Sequence, residues 1–138
     1  MAKLKNGSYK PTLKEAFMNE RQRQYFRDKL MTWRSDILIE TKGTLQNLQI
    51  DNETQADAAD RASSETDRAI ELRARDRQRK LVSKIDAALK RIESGNYGYC
   101  EETGDPIGLK RLDARPIATL SVEAQERHER RERVFRDD

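Results

Sequence analysis

The sequence predicts a mostly α-helical protein: a long antiparallel helical hairpin of the coiled-coil kind, a small globular region, and a C-terminal helix. Three observations carry that reading. Charged residues make up 38% of the 138 residues and hydrophobic ones 35%, too polar for a thick core but suited to helices that each bury one narrow stripe. Apolar residues recur at helical spacing in two separate stretches. Beyond Gly95 that rhythm gives way to closely spaced glycine and proline, which mark turns.

The elements follow in order. Residues 1–18 read as an N-terminal segment with a short helix, 19–95 as the hairpin with its tip near 51–62, and 96–138 as the globular region with the last helix. Thr12 opens a capping-box pattern, with Glu15 three residues on to reach back to the cap. Phe26, Leu30, Trp33 and Ile37 step by four, three and four along one helical face, and Thr41, Thr44 and Leu48 continue it weakly. Gly43 costs about 1 kcal/mol against alanine but does not end a helix. One helix is expected from Asn19 to Thr54. Leu81, Ile85, Ala88 and Ile92 repeat the same steps, widened by Val82 and Leu89. Ser94-Gly95 supplies the stop, because glycine accepts the left-handed cap conformation. A second helix is expected from Asp60 to Ser94. At about 1.5 Å per residue, either arm spans on the order of 50 Å. The segment Tyr97 to Gly108 is turn-rich, with a strand-like piece at Pro106 to Leu109. Thr119-Leu120-Ser121 opens a last, Arg/Glu-rich helix from Val122 to Phe135.

Composition also bounds function. The chain has no apolar run near the roughly 18 residues of a membrane span. Its N-terminus lacks the apolar stretch of a signal peptide, so a cytoplasmic protein is expected. One cysteine excludes an intramolecular disulfide framework and a Cys-rich metal site. Net charge is only +3, but it is unevenly placed. Asp51 to Asp60 holds four acids and no bases; Glu71 to Lys84 holds six bases and two acids. An acidic tip and a basic shaft are not the layout of a uniform phosphate binder, because the acids repel phosphate.

In the turn-rich region, Cys100, Thr103, Ser121 and Ala124 are separated by two, seventeen and two residues. With cysteine at the last three, this is the C-x2-C…C-x2-C spacing of a zinc ribbon. Gly-Tyr-Cys-Glu precedes the first pair, and Pro-Ile-Gly-Leu-Lys-Arg-Leu-Asp-Ala-Arg-Pro lies between the pairs. Upstream stand Glu71 to Leu81, Met18 to Trp33, and a tip motif, Asp57-Ala58-Ala59-Asp60-Arg61-Ala62. From Phe17 to Arg133 the chain thus resembles the DksA/TraR family of bacterial transcription regulators, as a variant without three of the four zinc-ligand cysteines.

The resemblance implies a regulator that is not an enzyme and that binds bacterial RNA polymerase without binding DNA. In that family the hairpin enters the secondary channel, and the globular part sits on the rim helices of the β′ subunit. With guanosine tetraphosphate as effector, the family destabilises open complexes at ribosomal RNA promoters in the stringent response. It also helps initiation at amino-acid biosynthesis promoters. A monomer with no membrane association is expected.

Roles carry over by position. Asp57, Asp60 and Ala62 match the tip near the polymerase active site. Read alone, the two aspartates are solvated loop acids, with Asp60 placed to cap the second helix. Family tips often carry proline; this one has none between Asp51 and Ala62. Leu81, Lys84 and Arg115 match the guanosine tetraphosphate interface, and an anion of that kind suits Lys and Arg donors. Read alone, Leu81 belongs to the apolar stripe. Gln125 stands where the family commonly has lysine. Arg73, Arg77 and Arg111 match the rim-facing surface, although a solvated charged face explains them equally well. Thr103, Ser121 and Ala124 offer no thiolate, so no structural zinc is expected. Packing of Tyr97, Ile107, Leu112, Ile117 and Leu120 must stand in for the metal. Cys100 reads as a small buried hydrophobe, with a redox role the weaker alternative because no resolving cysteine is present. His128, the one histidine, reads as a surface residue.

Other functions compete. A basic nucleic-acid-binding coiled coil fits the pI of about 9.1, but the bases are interleaved with acids and few aromatics. A transcript-cleavage factor would use tip carboxylates to hold Mg²⁺ in the same channel. A passive coiled-coil adaptor would tolerate Asp60→Asn. No nucleophile stands beside a base, and no glycine-rich phosphate loop precedes a helix.

Overall fold

The computed structural model describes residues 9–54 and 58–137; for 44–54, 58–61 and 135–137 it describes the backbone alone. Four helices follow in order: α1 Glu20–Thr54, α2 Ala58–Ser94, α3 Leu109–Ala114 and α4 Val122–Asp137. The two long helices have the expected extents to within two residues. The chain divides into two compact units. One comprises the chain up to Leu30 together with Ala87 onward; the other is Met31–Asp86.

Within Met31–Asp86, α1 and α2 run antiparallel. Arg34 pairs with Asp86 at 2.7 Å, and further along Thr41 meets Gln78, so partner numbers fall as α1 numbers rise. The Thr41 hydroxyl lies 2.9 Å from the Ile37 carbonyl and 2.8 Å from Gln78 Oε1, and its single proton serves one at a time. Gln78 in turn donates to Glu40. Ile37 and Ile85 are buried, which is the seam the apolar spacing predicts.

The other unit holds the larger core. Phe26 and Leu30 of α1 are buried, as are Ala88 and Ile92 of α2, Tyr97, Ile107, Leu112, Ile117 and Ala124. Four of the five side chains expected to replace a metal are therefore buried; Leu120 is half-buried. The helix expected after Thr12 does not form. Residues 11–18 make turns instead, and α1 is capped by Asn19, whose Oδ1 accepts from the Gln22 N–H at 2.8 Å. The physical reason is Gln22, fully buried with all its amide atoms used. Its Oε1 accepts from the Met18 N–H at 2.8 Å, and its Nε2 donates to the Thr12 carbonyl and to Glu15. That latch holds Met18 at φ +55°, a left-handed turn no helix could pass through. Half of the anticipated box survives, since Glu15 accepts from the Thr12 N–H at 3.3 Å.

α2 stops where its sequence says. Asn96 N–H donates to the Arg91 carbonyl at 2.9 Å and Gly95 N–H to that of Ile92, with Gly95 at φ +81°. This is a Schellman cap, and it satisfies carbonyls the helix end would otherwise leave open. The strand-like piece at Pro106 to Leu109 reduces to one antiparallel bridge, Tyr99 with Pro106. Proline has no N–H to extend a ladder, and Gly108 at φ +104° turns the chain into α3. α3, with Leu109 and Leu112 buried, was not anticipated. Ser121 caps α4, its Oγ accepting from the Ala124 N–H at 3.2 Å.

Candidate functional site

The ribbon-like loop does bring the four degenerate ligand positions together. Cys100 N–H donates to the Asp105 carbonyl and Gly104 N–H to that of Cys100, both at 2.8 Å, which folds the loop tightly back on the cysteine. Glu101 N–H donates to the Thr119 carbonyl at 2.9 Å and so ties this loop to the segment before α4. Cys100 is 3% exposed, Ser121 and Ala124 are buried, and Thr103 is exposed.

This donor set does not fit zinc. One thiol, two hydroxyls and a methyl cannot supply four ligands to a tetrahedral Zn²⁺. Among the described residues, no three His, Cys, Asp or Glu side chains gather as a metal set. What remains is the shell of donors around the sulfur. Burial pushes the Cys100 thiol up. The Thr103 hydroxyl and the backbone N–H groups of Ser121, Thr103 and Glu102 outweigh it and bring the thiol down from 9.0 to about 6. Such converging backbone donors form a nest for an anion. Cys100 is buried as the sequence reading expected, and polar groups lower its pKa.

A second polar cluster flanks this core. Asp113 accepts from the Tyr25 hydroxyl at 2.6 Å and from Lys29 at 2.7 Å. Lys29 also donates to the Asp113 backbone carbonyl at 2.6 Å. Lys29 first, then Tyr25, holds the Asp113 carboxyl below its usual range. Desolvation, together with the bond to Asp113, pushes the Tyr25 phenol up to about 12. The Tyr97 hydroxyl, deep in the core, donates to the Pro116 carbonyl at 2.7 Å, and burial raises its pKa. Neither tyrosine nor the Cys100 nest was legible as a site beforehand. The donors come from segments far apart in the chain, and no local spacing marks them.

The expected interface residues divide between the two units. Arg73 and Arg77 are exposed one turn apart on α2, and among the described residues neither has an ion-pair partner. Lys84 is exposed and Leu81 half-buried on the same helix. In the other unit, Arg115 is exposed and Arg111 is committed inward, its Nε donating to the Leu120 carbonyl at 2.9 Å. Gln125 donates to Glu129 at 3.3 Å. His128 is exposed. At the tip, Asp57 lies outside the described residues. Asp60 lies within α2, its backbone alone being described, and Ala62 is exposed.

Comparison with known proteins covers nearly the whole chain. Residues 22–92 match the family described as "DnaK suppressor protein DksA, N-terminal domain", and residues 95–130 match "Prokaryotic dksA/traR C4-type zinc finger". The chain is 65% identical over 135 residues to an RNA polymerase-binding transcription factor DksA of Caulobacter vibrioides, covering 98% of this chain and 95% of that one. It is 41% identical over 119 residues to the protein of the same name in Escherichia coli K12, covering 86% and 79%. Among solved structures, transcription factor DksA2 from Pseudomonas aeruginosa superposes with a TM-score of 0.80 at 47% identity, covering 86% and 91%.

Proposed function

The chain belongs to the DksA family, and on that premise we propose that it binds bacterial RNA polymerase as a regulator of initiation and is not an enzyme. The hairpin enters the secondary channel. With guanosine tetraphosphate it destabilises open complexes at ribosomal RNA promoters, in the cytoplasm and without contacting DNA. The observation that carries this reading is similarity along nearly the whole chain to proteins named as RNA polymerase-binding transcription factors.

Each part has a physical role. Asp57, Asp60 and Ala62 form the end that approaches the active centre, where two carboxylates bias the electrostatics and a methyl permits close approach. Arg73 and Arg77 stand on a solvated face without an ion-pair partner among the described residues, ready to pair with acids of the partner. Arg111 is partly spent on Leu120 and serves the fold as well as the rim. Lys84 and Arg115 are the effector's cations, Leu81 an apolar edge, and Gln125 a neutral substitute for a further charge.

The test is transcription from a ribosomal RNA promoter by purified bacterial polymerase, with and without the nucleotide. Inhibition that deepens with guanosine tetraphosphate is expected. Inhibition indifferent to it removes the effector role from Lys84, Arg115 and Gln125, and no effect on an active polymerase overturns the whole reading. Asp60→Asn is expected to abolish inhibition while polymerase binding survives; loss of binding instead would make the tip an anchor.

A further inference from the structure

In the unit that holds the larger core, a cavity of about 240 Å³ opens where the N-terminal turns, α1 and α3 meet, and no role above uses it. Phe26 of α1 and Leu109 of α3, both buried, stand at its base. Pro11 and Leu13 form the wall on the N-terminal side. Leu13 is 90% exposed. A lone exposed leucine is ordinary, but this one borders a cavity with an apolar base, where a ligand can cover it. At about 30 Å³ per molecule of liquid water, the space holds about eight waters, or a small molecule of similar size. Drug-sized sites run from roughly 300 to 1,000 Å³, so the occupant is smaller than those.

The charges at the mouth select its chemistry. Asp113 lines the cavity, but its carboxylate is already engaged by the Tyr25 hydroxyl at 2.6 Å and by Lys29 at 2.7 Å. Lys10 and Lys110 line it too, both exposed, and neither forms an ion pair among the described residues. Lys10 is near enough to help hold the Asp113 carboxyl below its usual range. Lys29 balances Asp113, and the other two lysines leave the mouth positive, so an anion complements it. Among the described residues no arginine lines the cavity to offer phosphate a fork of donors. Two flexible ammonium groups over an apolar base suit one carboxylate on a hydrocarbon body.

We propose that this cavity binds a small monocarboxylate with an apolar body, its carboxylate held by Lys10 and Lys110 and its hydrocarbon laid against Leu13, Phe26 and Leu109. Bound there, the ligand ties the N-terminal turns to α1 and α3 and stabilises that unit by mass action. The proposal does not depend on the polymerase reading.

The test titrates the full-length protein with sodium hexanoate and follows the backbone amides by NMR. The amides of Leu13, Tyr25 and Lys110 are expected to shift and saturate together. Hexanamide, equal in size but uncharged, is expected to bind about tenfold more weakly, because it loses the charge-assisted hydrogen bonds. Lys110→Glu is expected to weaken hexanoate about tenfold by placing a like charge at the mouth. Circular dichroism checks that helix is retained, and Leu13→Ser, at an open position, serves if Lys110→Glu loses it. Absence of saturable shifts at these amides overturns the proposal. Equal affinity for hexanoate and hexanamide overturns the part given to the lysines, and folded variants that bind like the wild type place the ligand elsewhere and overturn the site.

Discussion

The nest around Cys100 makes a prediction that needs only a pH titration. A free cysteine has an ordinary value of 9.0; the hydrogen bonds here bring the thiol to about 6. At pH 7 the first would be about 1% thiolate and the second about 90%. The ultraviolet absorbance of thiolate, taken as wild type minus Cys100→Ser, should therefore rise with a midpoint near 6. Thr103→Val removes the hydroxyl donor and should move that midpoint upward. The sign of the linked stability follows. The folded value lies below the unfolded one, so the thiolate's contribution is complete above about 9 and is lost as pH falls through about 6. Subtracting the Cys100→Ser protein removes the other carboxylates that titrate in acid, and the stability gap should widen as pH rises from 6 to 9. Bulky alkylating reagents should still react slowly, because Cys100 is buried. A midpoint above about 8, where ordinary thiols titrate, would refute the argument that these four donors face the sulfur.

Further expectations concern the same core. Tyr97→Phe keeps the ring but leaves the buried Pro116 carbonyl without its donor, for a loss of about 1–3 kcal/mol in urea unfolding; no change would mean that the carbonyl finds water. Gly98→Ala places a methyl 3.2 Å from Met18 Cγ and Phe17 Cζ at a backbone φ of +92°, so about 1–3 kcal/mol should be lost, and a neutral result would show that the N-terminal turns yield freely. Elemental analysis of the purified protein should find no stoichiometric zinc; one equivalent would mean that ligands other than the ribbon positions bind it.

The helices and their boundaries were legible because the signals are local. Phe26, Leu30, Ile37, Ile85 and Ile92 announce their stripes by spacing alone, and all five are buried. Gly95 announces the stop of α2 because the cap needs its positive φ, and Ser121 announces the start of α4. The short helix α3 escaped because a six-residue helix between turn residues has too few positions to show a period. The short helix expected after Thr12 failed for a different reason: Gln22, buried once the N-terminal turns fold over it, binds the Thr12 carbonyl, Glu15 and the Met18 N–H and holds those residues in turns.

The site divides the same way. The order of residues determined which side chains are available: an acidic tip, a run of arginines on α2, and one cysteine where a zinc ribbon needs four. Residue identity and spacing suffice for that, since both are properties of the chain itself. Only the tertiary structure decided what those side chains do. It aims the backbone N–H groups of Glu102, Thr103 and Ser121 at a single sulfur, turning an apparent hydrophobe into an acid. It turns Arg111 inward to Leu120, while among the described residues Arg73 and Arg77 have no ion-pair partner. These outcomes depend on dipoles and surfaces brought together from distant segments, and pattern along the chain carries no record of such meetings.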